Sequence, residues 1–268
     1  MPLEKTYIPY GAYWSSPFCH WQASLSGMNA IELAAQVATR AMAARNISPD
    51  IFQGLVLGYT VPQRHSFYGA PWLAGMIGAE GIGGPMVSQA CATSARTLVS
   101  CALEIETGEQ ECMLGITCDR TSNGPHIYYP NPQGTGGMGQ SEDPVWDNFS
   151  HDPWAKQAMV KTAENVAKEA GISKEEQDEI TLVRYEQYQD ALADNRAFQK
   201  IYMVPAEIPK GKKKTITIEE DEGPIPTTAD GLAKLRPVLE GGTITFGTQT
   251  FPADGNAGMV ICTKEKAR

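Results

Sequence analysis

The chain reads as an α/β protein, a five-stranded mixed sheet with flanking helices plus an inserted α-rich domain. Three observations lead there. Short apolar runs of strand length alternate with 3.6-residue patterns through residues 1–118, the rhythm of layered helices and strands. The texture then turns polar, with clustered Gly and Pro, over residues 119–240. Apolar, strand-like runs return after residue 241, so residues 1–118 and 241–268 are expected to form the sheet domain, with 119–240 inserted between strands.

Each element has a local reason. Tyr7 to Trp14 reads as a first strand. Met28 to Arg45 reads as an amphipathic helix, because Ile31, Leu33, Ala34, Val37, Ala38 and Met42 recur on one face. Phe52–Gly58, Pro85–Ala90 and Glu111–Cys118 are strand-like, with a helix over Pro71–Ile77. Between the last two strands a helix is expected to start near Cys91, with Ala95, Leu98, Val99, Ala102 and Leu103 at helical spacing, and to stop at the C-cap Gly108. The insertion holds two polar helical patterns, Thr162–Ala170 and Lys174–Phe198, the second opened by a Ser173/Glu176 capping box. KGKKKTITIEEDEGP reads as a charged β-excursion, followed by a short helix over Asp230–Leu235. Gly242–Phe246 and Met259–Thr263 read as strands, the latter a fifth strand for the first sheet.

Composition excludes several classes. With 22 basic and 31 acidic residues the formal charge is −9, so the summed field repels nucleic acid. No apolar run approaches the length of a membrane span, and Met1–Lys5 lacks the pattern of an export signal, so a cytoplasmic protein is expected. The Asn46 and Asn148 sequons are then silent. Six cysteines (19, 91, 101, 112, 118 and 262) are too sparse for a disulfide scaffold, and the four histidines lack the spacing of ligand pairs, so no metal site is expected.

One cysteine stands apart. In SQACATSARTL, Cys91 lies where a strand gives way to a helix, among Ala90, Ala92, Thr93 and Ser94. A thiol there faces the unpaired first-turn amides and the positive end of the helix dipole, which favours the thiolate, and small neighbours leave room for a substrate. The alternative is one more buried thiol acting as a small hydrophobe. The GxGxxG of Gly134, Gly136 and Gly139 has prolines on both sides instead of a strand and a helix, so it reads as a loop. The Lys210–Lys214 run is a solvated loop or a patch for a phosphorylated ligand.

With those residues in hand the chain resembles the thiolase family along nearly its whole length. SQACATSARTL resembles the segment of the acyl-accepting cysteine, and LGITCDRTSNGPH the strand leading to the family's loop domain. Residues 159–191, MVKTAENVAKEAGISKEEQDEITLVRYEQYQDA, resemble the loop-domain helices, and residues 229–258 the stretch lining the pantetheine arm of coenzyme A. The resemblance implies an acyltransferase that binds no permanent cofactor and uses coenzyme A and acyl-CoA as substrates. Cys91 would be the nucleophile, and Met159, Leu239, Phe246, Gln249 and Thr250 would contact substrate. Thr250 stands for the family's serine, Ala158 for a histidine often found before the methionine, and Phe246 and Phe251 for smaller residues. Residues 219–226 lack a basic residue common there, for which the lysine run would compensate.

Thiolases take their catalytic histidine, in a Gly-His-Pro setting, and a second cysteine, in a glycine-rich turn, from a second copy of the fold, and residues 1–268 show neither motif. The expectation is a nucleophile-bearing subunit of a two-subunit thiolase whose partner is a C-terminal thiolase half, or else a piece of a longer chain. It is expected to be a dimer or higher oligomer, pairing through the sheet edge near Cys91. A non-catalytic acyl-CoA-binding or scaffold subunit is the rival reading. A ketoacyl-synthase type shares the fold, but the TAENVA and EEQDE helices speak for a thiolase loop domain.

Overall fold

The computed structural model describes residues 3–122, 124–211 and 213–268. Lys212, the middle of the Lys210–Lys214 run, lies outside them, as do Met1, Pro2 and Asn123. The elements run β1 (Tyr13–Ser15), β2 (Cys19–His20), α1 (Ala30–Ala44), β3 (Gly54–Gly58), α2 (Gly69–Met76), β4 (Met86–Val87), α3 (Thr93–Thr107) and β5 (Cys112–Asp119). They continue with β6 (Ile127–Tyr129), β7 (Gln140–Glu142), α4 (Trp146–Ser150), α5 (Met159–Ala170), α6 (Lys174–Ala191) and α7 (Ala193–Lys200). A hairpin of β8 (Ala206–Lys210) and β9 (Lys214–Ile218), then α8 (Ala229–Ala233) and β10 (Ala253–Cys262), complete the chain.

Residues fall into two compact units, one of 1–123, 199–223 and 253–268, the other of 124–198 and 224–252. The first contains the mixed sheet, ordered β1-β10-β5-β3-β4, with β2 as a short addition to β10. Strands β5, β3 and β4 are parallel, whereas β10 runs antiparallel to both β5 and β1. Because side chains alternate along a strand, Leu55, Leu57, Leu114, Ile116 and Val260 enter one buried cluster with α1 and α2. Val56, Met113 and Ile261 enter another with Cys101, Ala102 and Ile105 of α3. Both faces of the sheet are thereby covered, and its strands read as continuous apolar runs.

Helix α1 starts where Asn29 Oδ1 accepts from the amides of Ile31 and Glu32. Its outer side holds the β8–β9 hairpin, since Gln36 Nε2 donates to the Glu207 carbonyl at 2.9 Å and Gln36 Oε1 accepts the Glu207 amide at 2.9 Å. Helix α3 approaches β3 closely. A Cβ on Gly58 would lie 2.3 Å from Thr97 Oγ1 and 2.8 Å from Thr93 Cγ2, so only glycine permits this packing. Gly58→Ala is therefore expected to cost about 1–3 kcal/mol and lower the melting temperature. A melting curve matching wild type would contradict this packing.

Three sequence-derived strands differ from expectation, Pro85–Ala90 keeping only the two residues of β4 because the chain turns through a left-handed Ala90. The first strand shrinks to Tyr13–Ser15, because Pro9 has no amide to donate and its carbonyl closes a turn with Ala12 N through Gly11 at φ +80°. Tyr7 keeps a single bridge to Cys262. Gly242–Phe246 is not a strand at all: the amides of Thr243 and Ile244 both donate to the Glu164 carboxylate, leaving no ladder to form. The GxGxxG glycines lie in the β6–β7 hairpin and its loop, between two strands. Among the described residues no helix is long and apolar enough to cross a membrane.

Candidate functional site

Strand β4 ends at Val87, and three residues later the chain makes a single 3-10 turn, Ala90–Ala92, before α3 begins at Thr93. The helix thus starts two residues after Cys91, near which the sequence places its start, and Cys91 sits in the turn itself. Ala90 makes that turn at φ +44°, a left-handed conformation that costs an L-residue with a Cβ roughly 1–2 kcal/mol. No side chain caps the 15-residue α3; the 3-10 turn ahead of it supplies carbonyls instead, the Ala92 amide donating to Gln89 at 3.0 Å and the Thr93 amide to Ala90. Thr93 Oγ1 accepts the Gln89 amide at 2.8 Å and donates to the Ala90 carbonyl at 2.7 Å. Arg96 Nε donates to Gln89 Oε1 at 2.8 Å.

All six cysteines are free thiols, and Cys91 alone is exposed. The other five are inert by comparison. Burial pushes the thiols of Cys101 and Cys112 up to about 12, and raises those of Cys19, Cys118 and Cys262 as well. The sheet unit therefore offers one thiol to solvent, in a strained turn at a helix start.

In the second unit a loop over residues 238–248 is tied down by one carboxylate. Its chain reverses where Gly242 N donates to the Leu239 carbonyl at 3.0 Å, and Val238 N closes on the Ile244 carbonyl at 2.8 Å. Glu164 of α5, 9% exposed, accepts from Thr243 N and Ile244 N at 2.8 Å each and from Thr243 Oγ1 at 3.1 Å. Burial by itself raises a carboxyl, but these donors outweigh it and hold Glu164 below its ordinary value. A Cβ on Gly242 would stand 2.3 Å from Glu164 Oε1, so the glycine makes room for the carboxylate. Beyond it Thr248 Oγ1 accepts from Thr245 N at 3.0 Å, shaping a turn from which Phe246 projects, 74% exposed. Among the described residues no group of three or more His, Cys, Asp or Glu is placed to hold a metal ion.

The family model for the thiolase N-terminal domain matches residues 13–265. The chain belongs to the thiolase family. Acetyl-CoA acetyltransferase of Yarrowia lipolytica is 26% identical over 268 residues, covering 99% of this chain and 66% of the relative. Beta-ketothiolase BktB of Cupriavidus necator is 30% identical over 254 residues, covering 91% of this chain and 62% of the relative. Among solved structures, the acetyl-CoA acetyltransferase of Bacillus anthracis superposes with a TM-score of 0.88 at 25% identity, covering 99% of this chain and 68% of that one. This thiolase chain thus spans 66% or less of the length of those two curated relatives.

Of the thiolase residues inferred from the sequence, Cys91 lies in the sheet unit and the other five in the second unit. Met159 opens α5 and is half exposed, preceded by Ala158, whose side chain provides no cap. Leu239 and Phe246 lie on the loop that Glu164 of the same helix anchors. Gln249 and Thr250 follow the turn, Gln249 half-buried and Thr250 exposed, with the Thr250 hydroxyl donating to the Phe251 carbonyl at 3.1 Å. Sequence reasoning missed Glu164. Its signal is a carboxylate three residues before the buried Ala167, on the inward face of an otherwise ordinary amphipathic helix.

Proposed function

We propose that this chain transfers acyl groups between coenzyme A thioesters, with Cys91 as the acyl-accepting nucleophile. The observation that carries the reading is the single exposed thiol, held in a turn at the start of α3 within a thiolase-family chain. The Cys91 thiolate attacks the thioester carbonyl, the C–S bond to coenzyme A breaks, and an acyl-cysteine forms. In thiolysis of a 3-oxoacyl-CoA the broken bond is instead C–C, the leaving carbanion takes a proton, and the acyl group then passes to free coenzyme A. In condensation the acyl group passes to a second acyl-CoA. No permanent cofactor takes part in this reading; coenzyme A is the substrate.

The acid/base groups come, in this proposal, from a C-terminal thiolase half carried by a separate subunit. Val99 and Leu103 of α3, apolar side chains each 40% exposed, support a surface on which such a half docks. Met159, Leu239, Phe246, Gln249 and Thr250 are the residues we assign to the substrate, and residues 119–240 to the loop domain that contributes to its site. Self-association through the edge strand β4, where Met86 is 38% exposed, completes the assembly. We place the reaction in the cytoplasm. The test is reconstitution: with a C-terminal thiolase half present, thiolysis of a 3-oxoacyl-CoA is expected to rise at least about a hundredfold over either protein alone. No gain on mixing would remove the two-subunit arrangement.

A further inference from the structure

We infer that Thr93 is the positioning residue of the Cys91 turn, its hydroxyl holding together the two backbone groups that force Cys91 into its exposed place. The hydroxyl accepts from Gln89 N, before the strained residue, and donates to the carbonyl of Ala90, the strained residue itself. Both bonds, at 2.8 and 2.7 Å, close a ring around the left-handed φ of +44° at Ala90. Alanine favours this conformation poorly, so the turn persists only while its surroundings over-determine it. The methyl of Thr93 supplies the other constraint, since it packs where β3 has Gly58, with no room for a Cβ. Threonine serves both needs from one buried side chain, hydroxyl to the turn and methyl to the sheet. Thr97 is a useful contrast: also buried, its hydroxyl only returns to the Thr93 carbonyl of its own helix at 2.9 Å.

The inference rests on Cys91 being the reactive group, and alkylation tests it apart from any acyl-CoA chemistry. With the full chain and iodoacetamide as probe, the five buried thiols stay silent, and the rate at Cys91 is read by peptide mass. Thr93→Val keeps the shape and removes the hydroxyl, and is expected to slow alkylation about tenfold, the loss of roughly one hydrogen bond. Thr93→Ser restores the hydroxyl and is expected to return within about twofold of wild type, as is Thr97→Val, which leaves the turn alone. Ala90→Gly relieves the left-handed strain, so adding it to Thr93→Val is expected to recover most of the rate even if the single variant folds poorly. A Thr93→Val rate equal to wild type, or a Thr93→Ser rate as slow as Thr93→Val, overturns the inference. If Thr93 governs alkylation yet wild-type Cys91 accepts no acyl group from acyl-CoA, the proposed function fails and the positioning role stands.

Discussion

Cys91→Ser is expected to abolish acyl transfer, lowering the rate of the reconstituted assembly by about ten-thousandfold or more while leaving the fold intact. The two halves of that expectation have separate causes. A serine hydroxyl at this position lacks the thiol's accessible anion, so neither the acyl-enzyme nor its discharge is reached at a useful rate. Because the Cys91 side chain is exposed, the exchange leaves no cavity and buries no new polar group. Thermal melting should therefore move by less than about 0.5 kcal/mol in stability. The same substitution at Cys101, fully buried against the sheet, is expected to destabilise by about 1–3 kcal/mol, with a hydroxyl set in an apolar cluster. Full activity of a Cys91→Ala assembly would turn the chain into a scaffold or acyl-CoA-binding subunit.

Glu164→Ala carries the second large effect, on stability and on substrate binding. It strips the partner from the amides of Thr243 and Ile244, and each unsatisfied buried donor costs about 1–3 kcal/mol. A loss of about 3 kcal/mol is expected, read from urea unfolding. The loop over Leu239–Phe246 also loses its tie to α5, so the Michaelis constant for acyl-CoA should rise more than kcat falls. Glu164→Gln retains one acceptor oxygen and is expected to show about half the destabilisation. The pH dependence has a defined sign. A carboxyl held below its unfolded value contributes stability that is fully present above the unfolded value, about pH 4.3. That contribution is lost as the pH falls through the lower, folded value. Replacing Glu164 by glutamine should flatten this part of the acid-stability profile below about pH 4.3. A profile parallel to wild type would show that the carboxylate does not hold the loop.

Much of the fold was legible because local chemistry and tertiary packing agree. The Ser173/Glu176 capping box forms as read, with Glu176 N donating to Ser173 Oγ and Ser173 N to Glu176 Oε2. Gly108 ends α3 in the left-handed conformation a C-cap glycine adopts. The apolar runs at 54–58 and 112–119 pair as parallel neighbours in the centre of the sheet. What the pattern hid depends on partners distant in sequence. GTITF has strand composition, yet Glu164, about 80 residues earlier, takes its amides. The left-handed Ala90 has no glycine or asparagine to announce it, and its support comes from a hydroxyl three residues ahead. The charged β-excursion from Lys210 onward contains β9, whereas its partner β8 runs up to Lys210 from before that stretch, and the hairpin's docking on α1 through Gln36 has no local signature.

Cys91 is the centre of the account, and covalent trapping tests it most directly. The chain is incubated with a short acyl-CoA, quenched in acid and digested, and the cysteine peptides are weighed. The expected result is one acyl group on the peptide carrying Cys91, formed with release of one coenzyme A and removed when free coenzyme A is added back. A peptide that stays unmodified in the complete assembly, while acyl transfer proceeds, would contradict the account.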